Sequence, residues 1–289
     1  MRELGYDAEQ IVNKATPLAC SEPFRVLSQQ DAATLLPVCR RLRSTARGAG
    51  DRIERMTRGG CYRSRWLRDL CTSVDLAAHL GEIYGIAVAP HAMPLNLGHI
   101  NYEPEANGAA VDKWHHDTLR LDIVMMVTDP NSLYSGHFEW FHGTRDEAGA
   151  LAAAGKTPSP ESVRAPVFLG LGYAIALHGD MVVHRGAALD QPGERITTVN
   201  GYVALDAMLD EQSCTRELVS VDDPNLVWTE WARFVAWRSS GRVNTLVGAL
   251  DFGVPLEEVI SRLEHAVEDV QRATEEMRDG EMPTTHCGG

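Results

Sequence analysis

VDKWHHDTLRLDIVMMV, from Val111 to Val127, is the stretch on which the reading of this chain turns. Its second half, LRLDIVMMV, is a short apolar run rich in β-formers, long enough for a strand and too short for a typical helix. Its first half sets His115, His116 and Asp117 just ahead of that strand. In extended chain, residues i and i+2 point the same way, so His115 and Asp117 share a face while His116 turns from it.

Working outward, runs of the same texture fill the chain from Pro90 to about Ala204. They are HAMPLNLGHINY, HFEWF, APVFLG, YAIAL, MVVH and RITTVNGYVAL, divided by Gly, Pro, Asn and Asp. Many short strands with turn signals predict a mainly β core of the sandwich, jelly-roll or barrel kind. One helix interrupts it, predicted from Thr144 to Gly155 by a Thr cap, acids in the first turn and a Gly stop. Helical periodicity governs both ends: Ser28 to about Arg47, Ser64 to Tyr84, Asn225 to Ser239 and Pro255 to Arg278. The expected organisation is one domain, with an N-terminal helical flank (1–89), a β core (90–210) and a C-terminal helical segment (211–289).

Composition narrows the function classes. The 289 residues are 44% hydrophobic and 23% charged, average for a globular chain. No stretch approaches the ~20 apolar residues that cross a bilayer, and the expectation is no membrane partner. Lys plus Arg less Asp plus Glu is 27 − 40 = −13, a charge that repels a phosphate backbone, so no nucleic acid is expected. Between Arg40 and Arg68 ten arginines face two acids. Pairing with acidic neighbours is the expected fate of that patch. Cys20, Cys39, Cys61, Cys71, Cys214 and Cys287 form no CxxC pair, which predicts neither zinc ribbon nor disulfide framework and fits a reduced cytoplasm.

A His-x-Asp pair arises easily by chance, and His178 with Asp180 is a second one. The residues downstream of each pair tell them apart. Sixty-seven residues after Asp117 comes His184 in MVVHRG, and eleven residues later Arg195 opens RITTVNGY. Two imidazoles and one carboxylate form a facial triad that leaves positions open on an iron(II) ion. Arg195 offers a planar fork for a carboxylate, and Thr197 lies on the same strand face. Beyond His184, which follows Asp180 by only four residues, the His178 pair has downstream just His265, in a predicted helix, and His286, in a Gly-flanked tail.

These residues, in this order and spacing, resemble the iron(II)- and 2-oxoglutarate-dependent dioxygenases over roughly Pro90 to Ala204. The resemblance implies a double-stranded β-helix, or jelly roll, in which His115, Asp117 and His184 hold iron(II). It further implies that Arg195 and Thr197 bind the far carboxylate of 2-oxoglutarate. Dioxygen and 2-oxoglutarate are then consumed, succinate and carbon dioxide released, and an unactivated carbon oxidised. Halogenating members carry Gly or Ala at the carboxylate position, so Asp117 favours hydroxylation or a related oxidation. SGHFEWF looks like the family's Gly-Gly-x-Phe/Leu strand, with His137 at the second glycine.

Asn96, His99, Asn101, Tyr102 and Asn200 are polar groups on strands near the triad, suited to reading a small polar ligand. A free or modified amino acid is the expected substrate. His99, His137, His142 and His178 have core or surface packing as their ordinary alternative role. Trp228, Trp231 and Trp237 are read as core or dimer packing, with a homodimer through the C-terminal helices the expected assembly. Two other function classes stay open at this stage: a cupin-like metal enzyme without 2-oxoglutarate, and a non-catalytic jelly-roll binding protein with a structural metal.

Overall fold

The computed structural model describes residues 1–49, 52–106, 108–209 and 215–279. Cys214, Cys287 and His286, singled out above, lie outside them. In chain order the elements are α1 (Ala8–Val12), β1 (Phe24–Arg25), α2 (Gln29–Leu42), β2 (Arg47–Ala49), β3 (Ile53–Thr57), α3 (Gly60–Arg63), α4 (Arg65–Cys71), α5 (Val74–Tyr84), β4 (Val88–Pro90), β5 (His99–Asn101), β6 (Ala110–His115), β7 (Leu121–Met126), β8 (Phe138–Phe141), α6 (Arg145–Ala153), β9 (Val163–Arg164), β10 (Tyr173–His178), β11 (His184–Ala188), β12 (Thr197–Ala204), α7 (Pro224–Ala249) and α8 (Leu256–Asp279).

Two antiparallel sheets face each other. The larger runs β1-β10-β7-β12-β5-β3-β2, with β4 on the far half of β12, and the smaller runs β6-β11-β8-β9. Successive strands from β5 to β12 alternate between the sheets except at the β8–β9 pair, the wiring of a jelly roll. The alternation of side chains along β7 and β12 divides the core in two. Ile123 and Met125 join Leu35, Leu67 and Leu80 on the outer face, under α2, α4 and α5. Val124 and Met126 join Phe138, Ile175 and Val182 between the sheets.

The N-terminal third differs from the purely helical flank expected. β1, β2, β3 and β4 all enter the larger sheet, so the core sheet reaches well outside 90–210. The Ser64–Tyr84 run is two helices rather than one, because Ser64 caps α4 and Ser73 caps α5, each side chain accepting a first-turn N–H. A cap of this kind is worth about 1 kcal/mol, enough to set a boundary where propensity alone would run through. HAMPLNLGHINY yields only three strand residues after a 3-10 turn, and APVFLG none, since Pro94 and Pro166 withhold ladder donors. Thr144 and Glu147 form a capping box on α6 as the sequence implied.

Trp231 is fully buried with Phe234, Val227, Met93 and Leu95 where α7 closes one end of the barrel. It is therefore core, while Trp237 stays partly exposed. The arginine patch is largely paired: Arg40 and Arg43 with Glu194, Arg43 with Glu103, Arg47 and Arg58 with Asp222, Arg55 with Glu105. Cys20, Cys39, Cys61 and Cys71 are free thiols. No helix among the described residues is long and apolar enough to cross a membrane.

Candidate metal centre

β6 ends on His115 and β11 begins on His184, and the two are direct partners in the antiparallel register. Direct partners point to the same face, so the imidazoles converge, ring centroids 4.4 Å apart. A bulge in β6, where the register shifts between His184 and Gly186, also swings Asp112 inward beside His115. Each ring is fixed by its far nitrogen: His115 Nδ1–H donates to the Lys113 carbonyl at 2.7 Å and His184 Nδ1–H to that of Val182 at 3.0 Å. That choice of tautomer leaves both Nε2 lone pairs aimed inward.

Asp117 lies just past the strand, its N–H donating to the Gly179 carbonyl at 2.9 Å. Its Oδ1 is 3.4 Å from His115 Nε2 and its Oδ2 3.4 Å from His184 Nε2. One ligand atom from each of the three residues lies within 4.8 Å of the others. Asp117 Oδ2 is buried with no hydrogen-bond partner. Three lone-pair donors gathered away from solvent, none bonded to another, fit a divalent cation and little else. Burial pushes His115 down to about 3, with Arg52 and His184 adding to it. Burial alone would raise Asp117, but His184 and His115 more than offset it and hold the carboxylate ionised. Neutral imidazoles and an ionised carboxylate are the forms that bind metal.

Gly179 fits here because nothing larger does. A Cβ at this position would stand 2.2 Å from Asp122 Oδ2 and 2.9 Å from Asp117 Cβ. Asp122 is wholly buried behind Asp117, and burial, reinforced by the Asp117 charge, keeps its carboxyl protonated.

Arg195 is buried just ahead of β12. Its Nε donates to the Gly136 carbonyl at 2.5 Å and its N–H to Glu103 Oε2 at 3.2 Å. Among the described residues nothing accepts from its two terminal nitrogens. Burial lowers its pKa to about 10, so it remains a cation at neutral pH. Gly136, at φ 76, takes a left-handed turn, and a Cβ there would strike Leu189 at 2.7 Å and crowd the Arg195 side chain. SGHF thus matters through its glycine; His137 is exposed. Thr197 pairs with Asn101 across β12 and β5, so both side chains share the inner face.

The other candidates divide. His99 accepts from Arg58 at Nδ1 (3.2 Å), so its Nε2–H donates to Asn101 Oδ1 at 2.5 Å. Burial and Arg58 hold His99 neutral, down to about 3. Asn96 accepts from Arg58 NH2 at 3.1 Å and its own NH2 has no acceptor. Tyr102 is fully buried and donates to the Cys39 carbonyl on the helix side. Asn200 is a correction to the substrate set: it accepts from the Gly98 N–H and donates to the Cys71 carbonyl, in the layer beneath α4. It is one residue out of phase with Thr197 and Val199, and period-two alternation sends it to the outer face.

His178 and Asp180 do not join the triad. His178 Nδ1 lies 2.8 Å from Asp180 Oδ1, and Asp180 also meets Arg120, Lys14 and Arg145. Sequence reasoning missed Arg52, Arg58, Asp112, Asp122 and Gly179. The arginine-rich strip contained the signal for the first two, but only the fold shows which arginines of ten turn inward.

No family model matches the chain, and no curated protein matches it. Solved structures do. SnoN, a non-heme alpha-ketoglutarate-dependent epimerase from nogalamycin biosynthesis, is 16% identical over 65% of this chain and 78% of its own, TM-score 0.46. HygX from Streptomyces hygroscopicus, solved with nickel and 2-oxoglutarate, is 14% identical over 69% and 88%, TM-score 0.46. EctD from S. alaskensis, solved with 2-oxoglutarate and 5-hydroxyectoine, is 16% identical over 71% and 78%, TM-score 0.46. The chemistry of the centre rests on His115, Asp117, His184 and Arg195 themselves.

Proposed function

We propose that the chain is an iron(II)- and 2-oxoglutarate-dependent oxygenase that hydroxylates or otherwise oxidises a small polar metabolite, a free or modified amino acid, releasing succinate and carbon dioxide. The observation that carries this reading is the presence in one fold of two features: a His-Asp-His set with both imidazoles buried and Asp117 Oδ2 unbonded, and a buried arginine whose terminal nitrogens are left open. A structural metal needs the first and has no use for the second.

His115, Asp117 and His184 would hold the iron, which with 2-oxoglutarate and dioxygen supplies the oxidation of an unactivated carbon. The chain's own work is placement. Arg195, locked by Gly136 and Glu103, offers a bidentate fork to the far carboxylate of the co-substrate, and Thr197 adds a hydroxyl on the same face. Arg52, paired with Asp112, and Arg58, paired with Asp222, stand beside His115 and His99, and burial together with these charges holds those imidazoles neutral. Asn101 spends its oxygen on His99, so its NH2 is the end free to donate to an oxygen of the substrate. Val124, Met126, Phe138 and Leu177 belong to one buried apolar cluster between the sheets, and the Phe138 ring lies 5.4 Å from that of His184.

The test is to assay succinate release with iron(II) and 2-oxoglutarate across amino acids and simple derivatives. Succinate above the uncoupled background should accompany a product heavier by one oxygen or lighter by two hydrogens. Arg195→Lys should raise the half-saturation for 2-oxoglutarate about tenfold, roughly 1.4 kcal/mol, because a point charge cannot replace a planar fork. An unchanged curve for Arg195→Ala would remove 2-oxoglutarate from the account and leave a cupin-like metal enzyme.

A further inference from the structure

The C-terminal helical hairpin joins its two helices by polar as well as apolar contacts. Toward the connection Arg238 Nε donates to Asp269 at 3.1 Å, Ser239 Oγ to the Ala266 carbonyl at 2.6 Å, and Arg242 to the His265 carbonyl and Glu268; at the far end Ala273 and Met277 of α8 join Trp231 and Phe234 of α7 in an apolar cluster. The α8 face turned to α7 is made of Ala266, Asp269 and Ala273, all buried. Its large apolar residues stand elsewhere. Leu256, Ile260, Leu263, Val267 and Val270 are 70, 40, 51, 37 and 38% exposed.

Their spacing of four, three, four and three is the a/d repeat of a coiled-coil seam. At about 100° per residue the stripe lies roughly 100° around the helix from the α7 face, so α7 does not cover it. Thr274 extends the same seam by one step, and Met277 beyond it packs on the α7 cluster. A strict seam differs from the broader stripe a helix presents to a globular core, and it calls for a second helix of the same kind.

Charge identifies that helix. The edge of the seam remote from α7 carries Glu257, Glu264, Gln271 and Arg278 at seven-residue steps, acid first and base last. Glu257, Glu264 and Arg278 have no ionic partner among the described residues. In a parallel pair this edge would face the opposite edge of the other seam, Val259, Ala266 and Ala273, which offers no charge. In an antiparallel pair with its two-fold axis at Val267, Glu257 lies beside the partner's Arg278 and Glu264 beside the partner's Gln271. The same axis stacks Leu263 on the partner's Val270 and Ile260 on the partner's Thr274. One axis satisfies both the apolar layers and the charges, as an isologous C2 interface requires.

We propose that the protein is a homodimer joined by antiparallel packing of α8 on α8 of a second copy, centred on Val267. The seam is independent of the metal centre, so its failure would leave the oxygenase reading untouched.

Sedimentation velocity on the full chain across the micromolar range should give a species of twice the 31.7 kDa chain mass. Ile260→Glu with Leu263→Glu should weaken dimerisation about a hundredfold or more, with far-UV circular dichroism unchanged because both positions are exposed. Glu257→Arg and Arg278→Glu should each weaken it about threefold to tenfold, and the two together should restore it. A monomer at every concentration, a dimer indifferent to the Ile260 and Leu263 changes, or a double charge variant no tighter than the singles would each overturn the proposal.

Discussion

Two His-x-Asp pairs lie in the same barrel, and among the described residues only one gathers a second imidazole into a group able to hold a metal. In His115/Asp117 each imidazole spends Nδ1 on a backbone carbonyl, and the carboxylate oxygens end 3.4 Å from two ring nitrogens without bonding either. In His178/Asp180 the ring faces its own aspartate, and three cations close on the same carboxylate. The residue types and the interval are identical. What differs is whether the surroundings have already neutralised the carboxylate, and a metal site requires that they have not. The cations around Asp180 tie Lys14 near the N-terminus and Arg145 of α6 to the turn that carries Gly179. The second pair thereby braces the first.

The largest expected effect separates the pairs outright. His184→Ala should abolish metal-dependent succinate release, whereas His178→Ala should retain it, since His178 faces Asp180 and not the metal. Turnover assays on the two variants, each checked for a folded core, decide this.

Asp180→Asn breaks the brace instead of the centre. Removing one partner from a buried charge network strands the others, and such losses run to about 3–5 kcal/mol. Denaturant unfolding should record that loss, while iron binding to the variant that remains folded should persist. Stability equal to wild type would mean the cluster is not the brace described.

Gly179→Ala acts on both pairs at once, because it sits between His178 and Asp180 and its Cβ would collide with Asp122 and crowd Asp117. Overpacking of this kind costs about 1–3 kcal/mol. Metal affinity should fall as well, since Asp117 can yield only by leaving its position against the Gly179 carbonyl.

Much of this was legible before any coordinates. His115, Asp117, His184 and Arg195 announce themselves because metal and carboxylate chemistry admit few residue types and the strand period fixes which of them share a face. The jelly-roll core followed from short strands and turn residues. The rest was hidden for identifiable reasons. Asn200 reads as a site residue by proximity to Arg195, yet one step of pleat turns it outward. β1 to β4 are two to five residues long, too short to show a period beside strong helical signals. Arg52 and Arg58 look like their eight neighbours in the basic strip, since sequence does not say which acid each will meet. Gly179 matters only through what would collide with it.

The smallest effect concerns pH. Burial first, and then Arg120 and Lys14, push His178 well below its usual pKa, so the folded state keeps it neutral. In the unfolded chain it titrates near ~6.5. Its contribution to stability is therefore fully present above that value and declines as pH falls below it, by up to about 1.4 kcal/mol per unit. His178→Gln should flatten the acid limb of the stability curve measured from neutral pH downward. An unchanged limb would mean that His178 takes up its proton in the fold.

The most direct test of the centre is anaerobic. Iron(II) and 2-oxoglutarate added together should produce the visible charge-transfer band of a chelated 2-oxo acid in wild type and in His178→Ala, and no band in His184→Ala. A band that survives in His184→Ala and disappears in His178→Ala would place the metal at the other pair and contradict the account.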